Sequence, residues 1–103
     1  MSDADVLRAA ADRLERLAER TTPGDWRIAG LLASRPEVVA HRPDGGTEHV
    51  AEARAASAAW ITALSPAVAA PLAAWLHAEA GSPSPAPDSV TVARVLLARL
   101  PDR

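Results

Sequence analysis

The chain has no cysteine, no lysine, no phenylalanine and no tyrosine, and its only aromatic residues are Trp26, Trp60 and Trp75. Without cysteine there is no disulfide framework, no thiolate nucleophile and no cysteine metal site. Without lysine every permanently charged base is an arginine, and the 13 acidic residues outnumber the 11 arginines to give a formal net charge of −2. Nucleic-acid surfaces normally carry a clustered basic excess, so that class of partner is disfavoured. Nothing near the N-terminus combines a basic start with an uninterrupted apolar segment, and no apolar run approaches the roughly 18–20 residues that cross a bilayer. The expectation is a cytoplasmic protein with no membrane partner and no cofactor.

What the chain has in quantity is alanine, about a quarter of its 103 residues. Alanine buries little surface, so Leu, Val, Ile and the three tryptophans must supply most of the hydrophobic stabilisation. At this length residues 1–103 are one domain by size, burying roughly 60–68% of the surface the unfolded chain exposes. A core so short of large side chains predicts modest stability for a monomer and an apolar surface covered in part by a second copy or another protein.

Residues 3–20 place Leu7, Ala10, Leu14 and Leu17 at spacings of three and four with Asp and Arg between them, which predicts an amphipathic helix. Ser2 suits its N-cap, Asp3 and Asp5 the positive end of the dipole, and Arg20 the negative end. Asp5 with Arg8 and Asp12 with Arg16 make surface pairs. The stretch TTPG, Thr21 to Gly24, ends this helix. Thr22 precedes a proline and so avoids the helical region, and Gly24 tolerates a left-handed turn.

From Trp26 the periodicity changes, and residues 26–32, 37–42 and 47–51 read as short strands joined in part by the hairpin turn Pro43-Asp44-Gly45-Gly46. With Asp44 and Gly45 central, His41 faces Glu48 and Val39 faces Val50; a loop one residue longer slips that pairing. Residues 52–64 read as helix, with Ala53, Trp60 and Leu64 on one broad face. Ser65 then caps a helix that Pro66 opens and that runs to residue 80, kinked or starting late because of Pro71. Residues 81–87, GSPSPAP, read as an extended linker. Asp88 caps a last helix over 88–100 with Val90, Ala93, Leu97 and Leu100 as its stripe.

Few residues point to chemistry. His41, His49 and His77 are the side chains, besides carboxylates, suited to acid–base work near neutral pH. His49 and Glu52 have the i, i+3 spacing of carboxylate–histidine metal sites, and Glu48 can meet His41 across the hairpin. The alternative reading is therefore a small-ligand or metal-dependent enzyme built on His41, Glu48, His49 and Glu52 beside Arg42. Against it, the His49/Glu52 spacing spans a strand-to-helix junction and has no second copy, so no metal ligand or catalytic residue is assigned. Ser57 and Ser65 lack the setting of a hydrolase elbow, and Gly45-Gly46 belongs to a hairpin rather than a phosphate loop. Trp26 either packs its indole over the first helix or faces a partner, since tryptophan concentrates binding energy at interfaces.

The order of features, TTPGDW at 21–26, VVAHRPDGG at 38–46, AAWITALSPAVAAPLAAWL at 58–76 and VARVLLARL at 92–100, resembles small proteins encoded by actinobacterial phages, prophages and their hosts. These pair a Thr-Pro-Gly-Pro-Trp signature with a later aromatic-Ile-x-x-hydrophobic-Ser/Asp-Pro-x-x-Ala segment. The resemblance covers most of residues 4–100, with Asp25 in place of the second proline and Trp60 at the aromatic position. It implies an accessory role in phage–host biology and carries over no catalytic residue. The expected fold is α+β: a small antiparallel sheet of two or three strands packed against an N-terminal helix and two or three C-terminal helices. Trp26 and Trp60 are expected to meet between the sheet and the second helix, joined by Trp75, as one aromatic cluster. The expected function is a non-enzymatic protein-binding module, a homodimer or a binder of a host or phage protein. Its candidate interaction surface is Trp26, Arg27, His41, Arg42 and His49.

Overall fold

The computed structural model describes residues 1–30 and 35–102. It is an α+β fold with the element order α1 (Asp3–Glu19), β1 (Asp25–Ala29), β2 (Glu37–His41), β3 (Thr47–Glu52), α2 (Ala55–Ala63), α3 (Ala69–Ala80) and α4 (Pro87–Arg99). Two compact units emerge, one made of residues 1–21 and the chain from Val68 onward, the other of residues 22–67. Expected strand residues Leu31 and Leu32 lie outside the described residues.

In the first unit α1 packs on α3 and α4. Val6, Leu7, Ala10 and Ala11 of α1 meet Ala73, Leu76 and Ala80 of α3 and Val90 and Ala93 of α4, with Leu14, Val92, Leu96 and Leu97 around them. Alanine at so many contact positions lets the helix backbones approach closely, so Leu7 and Leu76, both fully buried, carry much of the apolar volume. Exposed polar contacts tie the rim: Arg94 pairs with Asp3 at 3.3 Å, and His77 Nε2 lies 3.1 Å from Glu15 Oε1 and 3.5 Å from Asp12 Oδ1. Asp12, expected beside Arg16, thus lies against α3 instead.

The start of α1 follows the expectation and adds to it. The Ser2 side chain accepts from the Asp5 backbone N–H, and the Asp5 carboxylate accepts from the Ser2 N–H, closing a capping box. The Ser2 N–H, then the Ser2 side chain and the Arg8 charge, hold the Asp5 carboxyl below its ordinary value. A carboxyl whose folded pKa is lowered adds stability above the unfolded value, and that contribution disappears as pH falls through the lower folded value. Ser2→Ala removes the hydroxyl that caps the Asp5 N–H and should cost about 1 kcal/mol near neutrality. Thermal unfolding of both proteins followed down the pH scale should show the gap narrowing on the acid side of 3.8; a gap that is constant with pH would mean that the Ser2 side chain does not lower the Asp5 carboxyl, whose bond from the Ser2 N–H the variant keeps.

The starts of α3 and α4 differ from the sequence reading. A 3-10 turn over Pro66–Val68 precedes α3, with Ser65 Oγ accepting from the Ala67 N–H at 3.4 Å. Pro71 then falls in the first turn of α3, where its missing N–H breaks no helical bond. The late start, rather than a kink, accommodates it. In α4 the N-cap is Ala86, not Asp88, because Pro87 already has the φ of a first helical residue. Asp88 sits in the first turn, favourable to the dipole. The expected linker is held as well: Glu79 Oε1 accepts from the Ala86 N–H at 3.4 Å and Ser82 Oγ from the Ser84 N–H at 3.2 Å.

In the second unit the strands form an antiparallel sheet in the order β1-β2-β3. The hairpin takes the longer loop: Arg42 N–H bonds Gly46 O, Gly45 N–H bonds Arg42 O, and Gly45 has φ +88°. His41 consequently pairs with Thr47 and Val39 with His49, so the pairings of His41 with Glu48 and Val39 with Val50 do not form. A bulge between Val38 and Val39 leaves Val50 extra and restores Val38 opposite Ala51. Because β3 continues to Glu52 against Glu37, the following helix starts at Ala55 rather than at residue 52.

Strand alternation then assigns the faces. Trp26 and Ile28 of β1 and the fully buried Val38 and Ala40 of β2 lie on the face covered by α2. Asp25 and Arg27, Glu37, Val39 and His41, and Thr47 and His49 lie on the other.

Candidate interaction surface

The five residues expected to form one surface are divided by this alternation. Trp26 is on the covered face, half-buried, with its indole N–H donating to Thr22 O at 2.9 Å. Arg27, His41 and His49 are on the open face, and Arg42 is at the hairpin turn. The two arginines are already matched locally: Arg27 Nε lies 2.7 Å from Asp25 Oδ2, and Arg42 reaches Asp44 at 3.8 Å and Glu48 at 4.0 Å. His49 Nδ1 lies 2.5 Å from Glu37 Oε2, across the strands. The expected enzyme cluster does not assemble either. Glu48 is on the face opposite His41 and turns to Arg42, and His49 takes Glu37 in place of Glu52. Among the described residues no three of His, Asp and Glu are grouped to hold a metal ion.

Within the second unit the expected packing of Trp60 with Trp26 between sheet and helix does not form, since Trp60 is 69% exposed. Trp75, in the first unit, is 42% exposed. In α2 the residues toward the sheet are Ala58, fully buried, and the half-buried Ile61 and Thr62, followed by the buried Ser65 just beyond the helix. At 100° per residue these four positions share one side. The opposite side is Ala56, Trp60, Ala63 and Leu64 with Ser57 and Ala59 at its margins, all exposed. Leu64 is 56% exposed. Thus α2 is uncharged on both sides while the one that carries Trp60 and Leu64 faces water, the reverse of the placement of these two residues expected from sequence.

The absence of charge extends further. From Ala55 to Ala78 there is no Asp, Glu, Lys or Arg. By length and composition alone, residues Ala55–Ala80 are apolar enough to cross a membrane, so the expectation of no such run is corrected. The backbone is nevertheless interrupted within it: α2 ends at Ala63, Leu64 has left the helical region at φ −108° and ψ 38°, and a 3-10 turn follows. Only 22% of its most apolar stretch is buried.

Sequence reasoning missed this surface because an uncharged helix with apolar residues on both sides has little periodicity to reveal which side is covered. The available signal was the run without charge. No protein-family model matches the chain, and no curated protein or solved structure matches it.

Proposed function

We propose that this chain is a non-enzymatic association module, of the phage- or mobile-element accessory kind that its motifs resemble, and that it binds another polypeptide through the outward side of α2. The observation that carries the reading is Trp60, 69% exposed on a helix with no charged residue. Contiguous exposed apolar surface, here Trp60 and Leu64 among alanines, marks an interaction site. Tryptophan is also the side chain most enriched among residues that dominate binding energy. The open sheet face is a poorer candidate, since its arginine and one of its histidines already have carboxylate partners.

The test compares the protein with Trp60→Glu, each isolated from cells of the natural type of host and weighed by native mass spectrometry. The wild type should run as a complex and the variant as a monomer, with association weakened at least about thirtyfold, the equivalent of about 2 kcal/mol at a tryptophan hot spot. Circular dichroism and the melting temperature of the dilute monomer should be nearly unchanged, because an exposed side chain contributes little to folding. A monomeric wild type, or a complex indifferent to Trp60→Glu, would sink the reading.

A further inference from the structure

We infer that the occupant of the outward side of α2 is α2 of a second copy, packed antiparallel about a two-fold axis near Trp60. The inference rests on the reading of α2 given above and names its partner.

The first argument is electrostatic. Every residue of α2 is uncharged, and so is Leu64 after it. Apposed to itself, such a surface creates no like-charge repulsion and strands no buried ion, either of which is costly at an interface. A charged partner surface would lose its hydration there and find no counter-charge.

The second argument is shape. The outward positions Ala56, Trp60 and Leu64 recur every four residues, with a small side chain at one end and a large one at the other. A two-fold interface places the same surface on both copies. With the axis at Trp60, the antiparallel arrangement sets Ala56 against Leu64 of the second copy at both ends, a knob against a shallow. The two indoles meet at the centre, where offset stacking is favourable. A parallel arrangement would set alanine against alanine and leucine against leucine, leaving a gap at one end and crowding the other. Ala59 and Ala63 beside the stripe let the helix backbones draw close. A lipid surface fits less well, because the outward side of α2 has no basic residue to meet headgroups and alanine gains little by leaving water.

The absence of cysteine makes the test direct, since one introduced thiol is unique in the chain. Purified wild type is first weighed alone across micromolar concentrations by sedimentation velocity, with Trp60→Glu as control. Ala56→Cys and Leu64→Cys, both at exposed positions, are then treated separately and mixed with a short bismaleimide after circular dichroism has verified their fold. In the antiparallel pair the two Ala56 positions lie about 12 Å apart along the axis, eight residues at about 1.5 Å each.

The expected result is a dimer abolished by Trp60→Glu, with cross-linking of the mixture at least several-fold above that of either single variant. A dimer that survives Trp60→Glu, or one that cross-links best through Ala56→Cys alone, overturns the inference. A purified monomer that forms a Trp60-dependent complex with a different chain overturns it too, yet leaves the association reading standing. A monomer that floats with phosphatidylcholine vesicles, or that binds nothing, removes both.

Discussion

Gly24→Ala is expected to lower the melting temperature by roughly 10–25 °C, the equivalent of about 2–4 kcal/mol for a chain of this length. Gly24 has φ +115°, where an L side chain is strained. A Cβ there would also stand 2.8 Å from the His41 carbonyl oxygen and 3.1 Å from its carbon. Those are backbone atoms, and they cannot turn aside as a flexible side chain would. The next residue, Asp25, is paired with His41, so the shift needed to relieve the contact opens the end of the β1–β2 ladder. Gly45→Ala is the control, since Gly45 has φ +88° with nothing within 4 Å of an added Cβ. It should cost about 1–2 kcal/mol for the backbone conformation alone. If thermal unfolding shows Gly24→Ala no worse than Gly45→Ala, the close approach to β2 places no constraint on TTPGDW.

That motif illustrates how much of the fold was legible. Thr-Pro-Gly announced a stop and a turn, and the apolar spacing of residues 3–20 with Ser2 ahead of them announced α1, because caps and periodicity are local properties. The hairpin was legible too, but its register was not. Loops of two and three residues around Pro43-Asp44-Gly45 differ by a single step, and the bulge that compensates at Val50 depends on how Val38 and Ala51 meet. The start of α2 was misplaced for a related reason: Glu52 is held in a strand by pairing with Glu37, a contact made across the chain. Of the candidate surface, the split between Trp26 and Arg27 follows from the period of two once β1 is fixed. The exposure of Trp60 does not follow from any local pattern. In a run as apolar as Ala55 to Leu64, only the position of the sheet decides that Ala58 is buried and Trp60 is not.

Trp26→Ala should therefore separate a tryptophan that supports the fold from one that offers a surface. Among the described residues of the second unit the fully buried side chains are Pro36, Val38, Ala40 and Ala58, all small. The half-buried indole of Trp26 is by far the largest group on the covered face of the sheet, and it stands opposite Ala40, whose size leaves it room. Alanine at position 26 would leave a gap that neighbours this short cannot close, so the loss should approach the range for buried aromatic truncation, about 2–4 kcal/mol after allowance for partial exposure. Trp26→Phe keeps a ring and removes the N–H donated to Thr22 O at 2.9 Å. It should cost about 1–2 kcal/mol for the lost bond and the smaller ring. Trp60→Ala, at the exposed position, should change the stability of the dilute monomer by less than about 0.5 kcal/mol while abolishing association. Denaturant titration gives the first quantity and sedimentation the second. The opposite pattern, with Trp26→Ala stable and non-associating and Trp60→Ala unfolded, would exchange the two roles and return the interaction surface to the sheet.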